Sequence, residues 1–457
     1  MKILLVSTDP HENGGESNYT RPLAAQFVRL GHVVRYLYSG ASSGKYNWFF
    51  RTYIQKSQSD FPFETGAIIN SPGWTYNYGN PGLDVRAPAA ERVIARYVKN
   101  FRPDIVHMHS RFGLPASILE ISRNMGAKVF NTIHAYGLIC QRRVMIDSTG
   151  SLCPGPFNPN KCAACTGAID VRKRKLEARL ENTDPRLLRL AIQAKRFVFT
   201  SLHRLTKSDP ADIDVNNDLA NGEQMGERLR KIVHLMNRSV HVNICVSNDV
   251  KQTMMTIGVD EGNLLVQHIG STIARVQKQN TSEIHDPIVI GNIGGVGKYK
   301  GTQTLVDAIT RLKSKRFVVK IFGGFEQSFV DHIMQGKNHL PIHFYGKYVP
   351  GDLPSILSEI DVMVLPSICN DTAPQTIFEA FSAGIPIIAS RIGGFPDFVT
   401  DRENGFLFEA GNSAELVQRL EVLMDDHTLI HSFRKAIPRL KTLDENASEL
   451  IDLYMNC

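Results

Sequence analysis

The chain is expected to fold as an α/β protein built from two doubly wound, Rossmann-like halves. Three observations lead there. Residues 3–6 form a short apolar run, Tyr19, Leu23, Ala24, Phe27 and Leu30 then recur at helical spacing, and Val33 to Tyr38 form a second run. Such a strand–helix–strand opening implies a parallel sheet. A comparable opening starts again at Pro287-Ile-Val-Ile-Gly291, followed by a glycine-rich turn and a helix from Thr304. Finally, 457 residues exceed what one ordinary core accommodates.

Hydrophobic content of 42% and charged content of 21% are those of a globular protein. Lys and Arg number 52 against 45 acidic residues, a net charge of +7. That excess suits an anionic ligand or an anionic membrane surface and is too small to indicate nucleic acid. The first apolar run is too short for a signal peptide, and no run approaches the ~18 apolar residues of a membrane span. A cytoplasmic protein is expected, free or in peripheral contact with the inner face of the membrane.

In the first half, Gly14-Gly15 stands in the loop after the first strand, where glycine lets backbone amides approach a phosphate or sugar; the same pair also suits an ordinary βα loop. From Ser39 to Pro81 the chain is polar and aromatic, with Trp48-Phe-Phe50, Tyr53 and Trp74, and reads as an irregular excursion. A helix follows from Ala89 to Phe101, then strands at Asp104–His109 and Lys128–Phe130, the latter leading into Asn131-Thr-Ile-His134-Ala-Tyr136-Gly137. Polar groups at carboxyl ends of strands lie where open α/β sheets bind ligands, so His109 and His134 are functional candidates, His109 on the acceptor side. His107, in mid-strand, reads as a packed core residue.

Cys140, Cys153, Cys162 and Cys165 have the spacing C-x12-C-x8-C-x2-C within a segment rich in Gly and Pro. Four thiolates satisfy tetrahedral Zn²⁺ and leave no open position, so a structural zinc is expected rather than a catalytic one, the alternative being four reduced surface cysteines. A basic, mostly helical region spans about 171–235, opening with Arg172-Lys-Arg-Lys175; it is either a solvated face or a contact for anionic lipid. Asp212-Ile-Asp214 matches a Mn²⁺-binding pattern but follows no apolar strand and is read as chance. Strands at His241–Ser247 and Leu264–Gly270 complete a first domain of residues 1–270, and 271–286 form a linker.

The second domain, residues 287–440, carries Gly294-Gly295-Val-Gly297-Lys298-Tyr-Lys300-Gly301, which is not a P-loop; it either closes backbone and charge on a phosphate or is a tight βα turn with two solvated lysines. Its densest motif follows the apolar run Asp361–Pro366. Asp371 and Glu379 stand eight residues apart around Pro374, read as a first helical position. The helix start beyond it, with Gln375 and Thr376, would hold an anion. Carboxylates on either side would take the hydroxyls of a sugar and of a ribose, so a sugar nucleotide is indicated. Residues 441–457 read as a final helix that packs back on the first domain.

Together the Lys300-Gly301 turn, the Asp371 to Glu379 segment with Gly384-Ile-Pro386, and Asn404-Gly405-Phe-Leu-Phe408 resemble the retaining glycosyltransferases of family four, which have the GT-B fold. The resemblance spans nearly the whole chain and implies the following. Asp371, standing where the family has Glu, would bind a hydroxyl of the donor hexose, and Glu379 the ribose. Lys298, Lys300 and the amides near Pro374, Gln375 and Thr376 would hold the diphosphate. His134 would lie beside the donor sugar, and Gly14 and Gly15 would form the N-terminal glycine loop. Where the family commonly carries Arg, five residues before the Lys, this chain has Gly295. The implied activity is hexose transfer, with retention and without a catalytic divalent metal, from a nucleoside diphosphate to a glycan or lipid-linked acceptor in cell-surface polysaccharide or lipopolysaccharide synthesis. A sugar-nucleotide epimerase and a non-catalytic binding protein of the same fold are the alternatives.

Overall fold

The computed structural model describes residues 1–12, 14–40, 52–57, 60–71, 80–167, 221–273, 283–314 and 316–457. Trp48 to Phe50, Trp74, the basic run from Arg172 to Arg196, the Asp212/Asp214 pair and most of the expected linker lie outside the described residues.

The first half runs β1 (Lys2–Val6), α1 (Gly15–Arg29), β2 (Val33–Ser39), β3 (Tyr53–Ser57), β4 (Glu64–Ile69), α2 (Pro88–Phe101), β5 (Ile105–Met108), α3 (Ile118–Asn124), β6 (Lys128–Ile133), α4 (Pro159–Gly167), α5 (Gly222–Ser239), β7 (Val242–Cys245), α6 (Asn248–Thr256) and β8 (Leu264–Val266). Its sheet has the order β3-β4-β2-β1-β5-β6-β7-β8, parallel except for the β3–β4 pair. The two strands β3 and β4 correct the expectation of an irregular excursion between Ser39 and Pro81. Glu64 anchors the added pair, because it meets Arg35 of β2 at 3.0 Å while Arg35 lies over the Phe101 ring at 4.4 Å.

The second half runs β9 (Ile288–Ile293), α7 (Thr302–Arg311), β10 (Phe317–Phe322), α8 (Gln327–Met334), β11 (Ile342–Gly346), α9 (Leu353–Ser358), β12 (Val362–Leu365), α10 (Gln375–Ser382), β13 (Ile387–Ser390), β14 (Gly405–Phe408), α11 (Ser413–Asp425), α12 (Thr428–Ala436) and α13 (Leu443–Asn456). All six strands pair in parallel, in the order β11-β10-β9-β12-β13-β14. Central strands such as β12 are buried throughout, as expected of a parallel sheet covered on both faces. Both sheets direct their carboxyl ends into loops that carry the motif residues.

Helix α13 opens with a reciprocal Thr442–Glu445 capping box and crosses back to the first sheet. Tyr19 Oη donates to Asn446 Oδ1 at 2.7 Å, Lys128 Nζ donates to the Tyr454 carbonyl at 3.0 Å, and the Tyr454 ring lies 4.7 Å from that of Phe130. Tyr454 Oη also bonds His107, whose other ring nitrogen meets Thr132 at 2.7 Å, so His107 is a satisfied core histidine. Leu450 is buried in this contact, and Leu450→Ala should lower unfolding free energy by about 2–5 kcal/mol in denaturant titration through lost transfer energy and a residual cavity.

Candidate active site

Loops from the two sheets face each other across a cleft. On the first side, β1 ends at Val6 and its loop delivers Gly14-Gly15 to the start of α1, while β5 and β6 deliver His109 and His134. On the second side, β9 delivers the Gly294–Gly301 turn and β12 delivers the Asp371 loop and α10. Contact across the cleft is direct. Thr372 Oγ1 donates to the His134 carbonyl, and a Cβ at Gly15 would stand 3.9 Å from Gln375 Cγ.

Pro374 is the residue before α10 rather than its first helical position. Its φ of −63° suits either place, but ψ of 116° is extended, so the helix starts at Gln375. The amides of Gln375 and Thr376 therefore stand at the helix start, and a Cβ at Gly294 would lie 3.4 Å from Thr376 Cγ2. The phosphate-type turn and this helix start thus converge.

Lys300 pairs with Asp371. Desolvation would lower the lysine's pKa, yet the Asp371 carboxylate outweighs it and the net shift is upward. Position 301 must be glycine here, since φ is +70° and a Cβ would meet the Pro366 carbonyl oxygen. Lys298 takes a different direction: its ammonium reaches the turn at Gly150, in the Cys-rich insertion of the first half. Glu379 lies within α10, and its Oε2 is buried without a hydrogen-bond partner. Burial pushes its pKa up to about 7.

His109 and His134 meet through their ring nitrogens at 3.0 Å, and burial lowers the pKa of His134 to about 3, so it acts as a neutral ring. Tyr19 packs against both rings. Sequence reasoning missed a second layer below them. Glu16 Oε1 accepts from Ser7 Oγ at 2.7 Å, and burial raises this carboxyl to about 7. Glu16, His109, Arg111, Gln141 and Arg143 line one solvent-open pocket. Glu16 had a legible signal, an acid directly after Gly14-Gly15, and Arg111 another, two residues past a strand-end histidine.

The four expected zinc ligands, Cys140, Cys153, Cys162 and Cys165, line one cavity. Even so, among the described residues no three His, Cys, Asp or Glu side chains are disposed to hold a metal ion. Cys153 Sγ faces the Gly155 carbonyl at 3.5 Å. The zinc expectation therefore finds no support in the structure.

The raised Glu379 pKa has a thermodynamic consequence. Between about pH 4.5 and 7 the folded state holds a proton that the unfolded state has released, so stability falls as pH rises through this window. Glu379→Gln should remove that contribution. Its stability advantage over the parent should grow from pH 5 to pH 8 and level off near ~3 kcal/mol, as read by denaturant titration across pH.

Comparison with known proteins agrees with this arrangement. Residues 274–440 match the family of group 1 glycosyl transferases, and residues 13–153 match Glycosyltransferase Family 4. Sulfoquinovosyl transferase SQD2 of Arabidopsis thaliana is 28% identical over 33% of this chain and 29% of its own length. The D-inositol 3-phosphate glycosyltransferase of Corynebacterium glutamicum (strain R) is 26% identical over 39% of this chain and 47% of its own. The capsular polysaccharide biosynthesis glycosyltransferase CapM of Staphylococcus aureus is 25% identical over 44% and 55%. The chain thus spans roughly half or less of the length of these curated relatives. In solved structures, Anabaena Alr3699/HepE in complex with UDP-glucose aligns over 99% of this chain and 100% of its own with a TM-score of 0.59 at 16% identity. The lipopolysaccharide outer core galactosyltransferase WaaB aligns over 100% of both chains with a TM-score of 0.59 at 13% identity. The chain belongs to the group 1 glycosyltransferases, family 4, and has the GT-B fold.

Proposed function

We propose that the chain transfers a hexose, with retention, from a nucleoside diphosphate to a hydroxyl of a glycan or lipid-linked acceptor during synthesis of a cell-surface polysaccharide. The observation that carries this reading is the convergence of Lys300, the start of α10 and the unpartnered Glu379 carboxylate opposite Gly14-Gly15 and His134. Similarity to proteins named for capsular and colanic acid synthesis, and to a structure holding UDP-glucose, supports the substrate classes.

In this reading residues 1–270 present the acceptor and residues 287–440 hold the donor. Glu379 Oε2 accepts from the ribose, which supplies the hydrogen bond that this buried oxygen lacks. The diphosphate lies at the amides of Gln375 and Thr376 and competes with Asp371 for Lys300. As the glycosidic bond lengthens, negative charge grows on the departing diphosphate, and these fixed donors stabilise it without a divalent metal. Displaced from Lys300, Asp371 accepts from a hexose hydroxyl. His134, neutral by burial, can hydrogen-bond the sugar without adding charge. Closure of the cleft limits hydrolysis of the donor.

A panel of sugar nucleotides tests the proposal. One of them should bind, and Lys300→Ala should lower kcat/KM for transfer about a hundred- to a thousandfold. Glu379→Ala should weaken nucleotide binding. Absence of binding across the panel, or indifference to both substitutions, would discard the transferase reading, whereas release of a nucleotide-linked epimer without acceptor would favour an epimerase.

A further inference from the structure

Helix α6 begins without a cap of its own. Ser247 stands at its N-cap position with extended backbone, yet the Ser247 hydroxyl makes no capping bond and is buried without a partner. Free amides at a helix start need an acceptor and favour a negative one. Here the acceptor comes from the other half of the molecule. Asp397 Oδ2 accepts from Asn248 N at 2.8 Å and from Asn248 Nδ2 at 3.2 Å, and the Asp397 side chain is only 7% exposed. A second carboxylate in the same turn, Asp249, accepts from Tyr136 Oη at 2.5 Å.

Both carboxylates lead back to the cleft. Tyr136 stands two residues beyond His134, in the loop that leaves β6. Asp397 closes a 3-10 turn at Phe395–Asp397; its amide donates to the Gly394 carbonyl at 3.2 Å, and Gly394 N donates to the Asp371 carbonyl at 2.7 Å. A Cβ at Gly394 would lie 2.2 Å from the Thr372 carbonyl oxygen, so this turn and the Asp371 loop pack backbone on backbone. Thr372 Oγ1 in turn donates to the His134 carbonyl. The contacts close a ring that runs from the Asp371 loop to the His134 loop, on to the start of α6, across to Asp397 and back to Asp371. A single bond between the two loops, from Thr372 to His134, would act as a pivot. The second attachment, through Asp397, fixes their orientation. Phe398, the next residue, carries the same tie to α10, because its ring lies 4.8 Å from that of His268 and 5.1 Å from that of Phe378, beside Glu379.

We propose that Asp397 is a positioning residue for the transfer step: by capping α6 from the opposite half, it sets Asp371 and Lys300 in register with His134 across the cleft. The inference rests on the transferase reading and adds to it a residue that touches neither substrate. The diphosphate contacts at Lys300 and the start of α10 lie wholly in the second half, so nucleotide affinity does not depend on this cap. Alignment of the donor with groups of the first half does, and a misplacement of about 1 Å costs on the order of a hundredfold in rate.

Kinetics and hydrogen exchange on the full chain test the proposal. Asp397→Ala should lower kcat for transfer about tenfold or more while nucleoside diphosphate affinity stays within about twofold of the parent. Asp397→Asn keeps an acceptor oxygen of good capping character and should restore kcat to within about threefold of the parent. Asn248→Pro approaches the same bond from the first half and serves if the alanine variant loses its cooperative melting transition. Proline suits the first helical position after the extended Ser247, yet it removes both donors to Asp397, so kcat should fall as in Asp397→Ala. Exchange needs no activity: peptides spanning Gly394 should exchange faster in both uncapped variants than in the parent. The proposal is overturned if kcat is unchanged in whichever uncapped variant folds, if nucleotide affinity falls in step with kcat, if the asparagine variant is as slow as the alanine one, or if exchange at Gly394 does not change. Faster exchange in the variants of a parent that transfers no sugar would instead count against the transferase reading alone, with the tie from Asp397 to the Asp371 loop standing.

Discussion

The buried carboxylate of Asp84 is the interaction on which the first half of the cleft depends. It draws together a 3-10 turn at Pro81–Asp84, the strand-end loop at Arg111, the entrance to the Cys-rich insertion at Gln141, and helix α5 through Arg228. Burial alone would raise its pKa, but the two guanidiniums outweigh that and bring it to about 2. The group therefore stays charged at any physiological pH. Because its pKa is depressed, its contribution to stability is present above the ordinary carboxylate range and is lost only as pH falls toward 2. Removing one partner of such a cluster leaves the others buried and unpaired, at a cost of about 3–5 kcal/mol. Through Arg228 the same cluster closes the Leu138 and Ile139 carbonyls and so shapes the loop that leaves His134.

The second half of the cleft is organised by close approach of backbone rather than by charge. At Gly393, φ is +58° and a Cβ would lie 2.4 Å from the Asp371 carbonyl, while Gly394 N donates to that same oxygen at 2.7 Å. Gly301 makes an equally tight approach beneath Pro366. Two glycines thus hold the loop from both sides. Asp371, one carbon shorter than the Glu that the family places there, keeps its reach to Lys300 because its backbone is fixed in this way.

Much of this was legible in the sequence. Apolar runs of four to six residues separated by helical periodicity marked the parallel strands, and their carboxyl ends located His109, His134, Lys300 and the Asp371 to Glu379 segment. What was not legible depended on tertiary partners. Arg228 sits on a helix dense in polar residues and reads as a solvated charge, yet it is 2% exposed. Nothing local in the sequence links it to Asp84, 144 residues away. The cysteine spacing located residues that share a cavity but found no support as a metal site, because ligand spacing alone does not fix how the side chains are disposed. Strand β3 was hidden because polar, exposed side chains at a sheet edge carry little alternation, and the short apolar end of its neighbour β4 was hidden with it.

The crossing of α13 has a mechanical consequence. The chain passes between the two halves twice, and the passages are tied together: Ser271 N donates to the Lys441 carbonyl at 2.9 Å, and Leu443 N donates to the Ser271 carbonyl at 3.2 Å. Asn446 then binds both Gly270 N and Tyr19, locking this joint to helix α1, whose first residues form the glycine loop. The joint at residues 271 and 442 is thereby tied through Asn446 and Tyr19 to helix α1, so the position of the glycine loop at the cleft mouth is set by the same contacts that fix α13 on the first half.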